Sequence, residues 1–117
     1  VEKIQIQGKD YITVNERVKE FRKLHPQGQI ITQVMANADG QVMFQAKVIV
    51  DGVLVANGHA YEKEGSSFIN KTSYIENCET SAIGRALGMY GIGIDTSLAS
   101  ADEVANAVTQ QKGDFNL

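Results

Sequence analysis

Gln41-Val-Met-Phe-Gln-Ala-Lys-Val-Ile-Val50, then Asp51-Gly52, then Val53-Leu-Val-Ala-Asn-Gly-His-Ala-Tyr-Glu-Lys63: this stretch decides the fold. Two runs rich in β-branched and apolar residues meet at Asp-Gly, a dipeptide suited to the left-handed backbone of a two-residue hairpin turn. Alternation in the first run sets Val42, Phe44, Ala46, Val48 and Val50 against Met43, Gln45, Lys47 and Ile49. In the second, Leu54, Ala56, Gly58 and Ala60 make a small apolar face. Val53, Val55, Asn57, His59, Tyr61 and Lys63 make a mixed one. A further run over residues 29–36 ends at Asn37-Ala38-Asp39-Gly40, a second turn signal. The three runs predict an antiparallel meander with one face for helices and the other partly polar.

Helical patterns flank the meander. Upstream, Ile4, Ile6 and residues 11–14 read as an extended entry with a turn at Gly8-Lys9-Asp10. Thr13 with Glu16 has capping-box spacing, and Val14, Val18, Phe21 and Leu24 follow as one apolar stripe. Pro26 stops this helix. Arg17, Lys19, Glu20, Arg22 and Lys23 read as its solvated back. Downstream, residues 64–72 read as a polar loop. Ser73 with Glu76 opens a long helix whose buried face holds Ile75, Cys78, Ala82, Ala86 and Met89, broadened by Ile83, Leu87 and Tyr90. Gly84 and Gly88, four apart, invite close approach of a neighbour, and each costs the helix about 1 kcal/mol against alanine. Gly91 and Gly93 end it. Ser100 with Glu103 opens a short helix over residues 101–110, with a thin stripe of Val104, Ala107 and Val108 and a frayed end beyond. The expected architecture is α+β in two layers: helix, three-stranded meander, long helix, short C-terminal helix. Residues 1–94 form the core domain and 95–117 a short helix and tail.

At 117 residues with 43% hydrophobic and 21% charged content, the chain suits one soluble globular domain. No apolar run has the length of a membrane span, and no signal-peptide pattern opens the chain. Its first residue is Val, so trimming or processing at the N-terminus is an expectation. The single Cys78 allows no internal disulfide, and with His25 and His59 far apart there is no zinc spacing. A reducing, cytoplasmic setting is expected. Net charge is −3, but 10 of the 11 Lys and Arg fall in residues 1–93 beside 10 acids, so the main body is neutral. That permits nucleic-acid binding without arguing for it.

The glycines match neither a phosphate loop nor a dinucleotide fingerprint, and ATP hydrolysis is not expected. Glu62 with Glu64, or Glu76 with Glu79, are formal carboxylate pairs. Glu76 is accounted for by capping, and Glu62 and Glu64 lie where a strand meets solvent. Ser66, Ser67 and Ser73 have no His or Asp partner at recognisable spacing. Cys78 reads as a small core residue. No catalysis and no cofactor are expected. Arg85, the lone cation of the long helix, is either a buried ion-pair partner or a charge presented to an anion. Lys47, His59, Tyr61 and Lys63 share one sheet face in simple register, and Phe68, Lys71 and Arg85 follow. Cations interleaved with aromatic rings are what single-stranded nucleic acid requires, charge for phosphates and a π face for bases.

The segment Gly58-His-Ala-Tyr-Glu-Lys-Glu-Gly65, with Tyr74-Ile-Glu-Asn-Cys-Glu-Thr-Ser-Ala-Ile-Gly-Arg-Ala-Leu-Gly-Met-Tyr-Gly-Ile-Gly93, resembles small proteins of bacteriophages and prophages. These are similar to single-strand annealing proteins of the Rad-fifty-two superfamily, whose core has the element order derived above. The resemblance covers roughly residues 11–94. It implies ATP-independent binding of single-stranded DNA and annealing of complementary strands, in phage-type recombination and repair. It further implies a basic groove on an oligomeric ring or filament, and other recombination or single-strand-binding proteins as partners. On it, Arg85 occupies the basic position before Ala-Leu. Gly84 and Gly88 stand where eukaryotic members carry further cations, and Lys71, Lys63 and Lys47 substitute, with Tyr61 and Phe68 as stacking groups. The unblocked sheet edges suit assembly of this kind. The rival expectation is an oligomeric protein-interaction module with no nucleic-acid role, which the acidic balance favours. A metal-dependent nuclease using Glu62 and Glu64 is the enzymatic alternative.

Overall fold

Asp39 and Gly40 have φ of 55° and 71°, and Asp51 and Gly52 have φ of 53° and 76°. Left-handed backbone at both central residues closes the tight hairpins that the two Asp-Gly pairs predict. The computed structural model describes residues 1–65 and 70–115, the side chains of 70–72 and 112–115 apart. Its elements are β1 (Lys3–Ile6), β2 (Lys9–Ile12), α1 (Val14–Leu24), β3 (Gln29–Ala38), β4 (Gln41–Val50), β5 (Val53–Lys63), α2 (Asn70–Tyr90) and α3 (Ala101–Phe115). The meander has the order β3-β4-β5 and is antiparallel throughout. Its first strand runs two residues past the expected end at residue 36. The extended entry is a separate hairpin, β1 with β2, whose turn is Gln7-Gly8 rather than Gly8-Lys9-Asp10.

The inner face of the sheet carries Val42, Phe44, Ala46 and Val48, packed on Cys78, Ala82, Ala86 and Leu87 of α2 and on Phe21 of α1. Contact is closest at Gly58, where a Cβ would lie 2.5 Å from the backbone nitrogen of Ala86 and 3.0 Å from the carbonyl oxygen of Ala82. Small residues on both elements therefore bring β5 against the backbone of α2. Thr32 adds a polar tie, donating to Glu79 Oε2 at 2.7 Å. Cys78 is fully buried, and its thiol faces the carbonyl oxygens of Ala60 at 3.2 Å and Val42 at 3.6 Å. Burial pushes that thiol up to about 11. Met89, expected on the buried face, is 63% exposed.

Two expectations change on the sheet. A register shift makes Val55 an extra residue, so Leu54 pairs with Ile49 and joins the outer face. Glu62 does not meet solvent. It is buried and accepts from Asn106 Nδ2 at 2.8 Å and Gln110 Nε2 at 3.5 Å. Its alternation with Gly58 and Ala60 had already put it on the inner side.

Arg17 is the larger correction. It is fully buried instead of lying on the solvated back of α1. Its Nη1 donates to the carbonyl oxygens of Gly84 at 2.7 Å and Leu98 at 2.9 Å; Nη2 donates to those of Ser97 at 2.9 Å and Gly93 at 3.2 Å. Burial lowers its pKa, and the nearby Glu103 and Asp102 oppose that shift. A guanidinium stays charged under such pressure. Gly84 and Gly88 explain themselves at the same place. A Cβ on Gly84 would meet Val14 Cγ2 at 2.7 Å, and one on Gly88 would meet Arg17 Nη1 at 2.9 Å.

The helix starts follow the capping signals in part. Thr13 accepts from the Glu16 N–H at 3.1 Å, but Glu16 turns away to accept from the Glu2 N–H at 3.2 Å and to pair with Lys19. Those bonds hold its carboxyl below the usual range. Ser73 departs from helical backbone, with φ of −134° and ψ of 27°, and kinks α2, which begins at Asn70, inside the stretch expected as loop. Ser100 and Glu103 form a full reciprocal box, Ser100 N to Oε1 at 3.3 Å and Glu103 N to Ser100 Oγ at 3.2 Å. The helix they open extends to Phe115, five residues past the expected end.

Candidate functional site

Antiparallel register sets Gln41 opposite Lys63, Met43 opposite Tyr61, Gln45 opposite His59 and Lys47 opposite Asn57. Because strand side chains alternate, these residues all project from the face away from α2. Gln33 pairs with Gln45 and Ile31 with Lys47, extending the same face across β3. No helix among the described residues packs on it. Tyr61 is 53% exposed, and Met43 and Ile31 are exposed as well.

The charge on this face is one-sided. Its strand positions hold Lys47 and Lys63, the side-chain amides of Gln33, Gln41, Gln45 and Asn57, and the rings of His59 and Tyr61, with no carboxylate among them. The acids nearest in sequence, Asp39, Asp51 and Glu64, lie in turns at its ends. Glu62 points to the inner side and is occupied there. A chain of net charge −3 thus keeps one broad surface free of negative side chains.

Of the expected site residues, the structure unites Lys47, Lys63 and Tyr61 on the open face, with His59 between them. Arg85 lies elsewhere. It sits on α2 at the outer edge of β5, its Nη1 3.2 Å from Glu103 Oε2, with its side chain 42% exposed. It is therefore an ion-pair partner and a partly presented charge at once. Lys71 is at the start of α2, and its side chain, like all of Phe68, lies outside the described residues. Among the described residues no His, Cys, Asp and Glu group is placed to hold a metal ion, and none of the helices is long and apolar enough to cross a membrane.

Sequence reasoning missed the absence of carboxylates on the open face, although the alternation of residues 41–63 contains it. It also missed the cleft beside Arg85, because that cleft depends on α3 folding back toward β5.

The model of a family described as Slr1353 N-terminal dsRNA-binding domain-like matches residues 18–90, more than half of the chain, and the chain belongs to that family. No curated protein matches it. The match corrects the resemblance to annealing proteins of the Rad-fifty-two superfamily, and the phage, recombination, repair and ring assignments implied by that resemblance lose their ground. Within the longer stretch that carried it, Tyr74 to Gly93, the two glycines beside Arg85 have a packing explanation: Gly84 receives Val14 and Gly88 receives Arg17.

Proposed function

We propose that the chain, as a member of this family, binds nucleic acid through the open face of the β3-β4-β5 sheet, without catalysis and without a cofactor. The observation that carries this reading is the broad, uncovered, amide-rich face with two lysines and no carboxylate. Phosphate contacts require local positive potential, and here the positive groups lie at separated points: Lys47 near the middle of β4 and Lys63 at the end of β5. The amides between them can both donate and accept.

The family's description points to duplex RNA as the first ligand to test. An RNA duplex presents a wide, shallow minor groove lined with 2′-hydroxyls, which shape and polar contacts recognise better than base edges do. A face that mixes amides with exposed apolar side chains and carries two lysines suits such a surface. Tyr61 and His59 also offer rings to unpaired bases, so a single strand is the natural comparison.

The test is fluorescence anisotropy with labelled duplex RNA, duplex DNA and single-stranded RNA of equal length, at several salt concentrations. The reading expects salt-sensitive binding with duplex RNA tightest, weakened by Lys47→Ala and Lys63→Ala. Tighter binding of the single strand would move the ligand to unpaired RNA. No binding of any nucleic acid would end the proposal.

A second reading has its own observation. Ile31, Val34 and Met35 leave β3, an edge strand without charge or proline, exposed and apolar. Such an edge favours pairing with another chain. Sedimentation of the same samples separates the two, since a self-associating protein that ignores RNA would be an assembly module.

A further inference from the structure

Between the outer edge of β5 and helices α2 and α3 lies a cleft of about 470 Å³. Pockets that take small molecules span roughly 300–1,000 Å³. Its charged groups are one guanidinium, Arg85, and two carboxylates, Glu62 and Glu103. Arg85 and Glu103 pair with one another, and Glu62 accepts from Asn106 and Gln110, so an entering ion meets charges that are already partnered. The ligand that suits this balance is neutral and rich in hydrogen-bonding groups.

Arg85 decides which neutral group fits. Glu103 holds its Nη1, and no second hydrogen bond to Arg85 is made among the described residues. With 42% of the side chain exposed, the remaining N–H groups are available to a ligand in the cleft. A planar guanidinium matches two adjacent acceptors on a flat ring, the arrangement of O6 and N7 in guanine. Adenine sets an N–H₂ donor beside N7 and opposes the same groups.

The cleft also communicates with the open face. His59 and Tyr61 belong to that face by register and line the cleft as well. We propose that the cleft is a base subsite, taking one unpaired guanine from an overhang or loop of an RNA lying on the open face. This rests on the nucleic-acid reading of that face and adds to it a preference at one position.

The probes are guanosine, adenosine and inorganic phosphate, offered separately to the full chain and followed by saturation-transfer NMR. Guanosine is expected to bind and adenosine to bind about tenfold more weakly or worse, since a good bidentate pair discriminates by roughly 1–3 kcal/mol. Phosphate is expected not to displace guanosine. Arg85→Gln should abolish the preference while the melting curve stays near that of the parent. Should that variant unfold, the guanosine-to-adenosine ratio of the parent protein decides alone. Equal binding of the two nucleosides, displacement by phosphate, or no nucleoside binding overturns the proposal. Lys47→Ala with Lys63→Ala should leave guanosine binding unchanged, so loss of RNA binding and loss of the guanine preference are read in separate assays.

Discussion

Arg17 and Gly88 are fitted to one another: the Nη1 of Arg17 lies 2.9 Å from the point where a Cβ on Gly88 would stand. The missing side chain on α2 is what lets a guanidinium from α1 reach the carbonyl of Gly84 and the segment that follows α2. A charged group is thereby used as a clamp of backbone carbonyls, in a place where an ion pair would be the commoner arrangement. Burying it has a cost, and four charge-assisted hydrogen bonds offset that cost.

Arg17→Ala should therefore destabilise the fold by about 3 kcal/mol, because it leaves one buried and three part-buried carbonyls without their donor, the buried one at roughly 1–3 kcal/mol and the others at less. Arg17→Lys should recover only part of this, since one ammonium cannot span four acceptors. Urea unfolding followed by circular dichroism measures both. A lysine variant as stable as the parent would show that charge alone is needed and the forked geometry is not.

Gly58→Ala probes the opposite side of α2. The new methyl would press on helix backbone, which cannot rotate aside as a side chain can. The expected loss is about 1–3 kcal/mol or more, as for other overpacked cores. A neutral result in the same unfolding assay would mean that β5 and α2 separate easily, and the tight contact would lose its significance.

Cys78 supplies a prediction in pH. Its thiol titrates near 9.0 in the unfolded chain and at about 11 in the fold. Between those values the unfolded chain has released a proton that the folded chain still holds. Stability should therefore fall as pH rises from about 9 to about 11. Cys78→Ala should flatten that part of the profile, whatever it does to the absolute stability. A thiol reagent at pH 8 should react with Cys78 only as fast as the protein opens.

The proposed interface predicts a salt dependence. If Lys47 and Lys63 each contact one phosphate, each alanine variant should lower the slope of log K against log salt by about 1, and similarly across RNA sequences. Anisotropy titrations at several salt concentrations give the slope. Unchanged slopes with weakened binding would assign the lysines to the stability of the sheet rather than to phosphate.

Much of the fold was legible because it rests on short-range chemistry. Asp39-Gly40 and Asp51-Gly52 name their own turns, and Ser100 with Glu103 names its helix start. What failed depended on tertiary partners. Arg17 lies three residues after Val14 and four before Phe21, squarely on the apolar stripe, and only its charge led it to be placed on the opposite face. Leu54 changed sides because a single extra residue, Val55, shifts the strand register, and no composition rule marks where that occurs. Glu62 follows the alternation to the inner side, and a carboxylate is held there only because Asn106 and Gln110 of α3 donate to it, partners distant in sequence.

The candidate surface is legible in the same measure. Lys47, Tyr61 and Lys63 were grouped by strand periodicity alone, and the register confirms the grouping. Arg85 was singled out by its isolation in an uncharged run. Its position at a cleft, away from the three, depends on Glu103 and on how α3 returns to the sheet.

The bonds that hold α1 in place span the chain almost end to end. Arg17 bonds residues 67 to 81 positions away, and the N–H of Val14 donates to Asp102, 88 positions away. During synthesis the first helix therefore cannot complete its contacts until residue 102 has emerged. Chains rich in such distant contacts fold slowly, since loop closure must precede the reward. A nascent chain halted at residue 90 would hold every strand of the sheet and the bond from Arg17 to Gly84, and yet lack the other four bonds that hold its first helix.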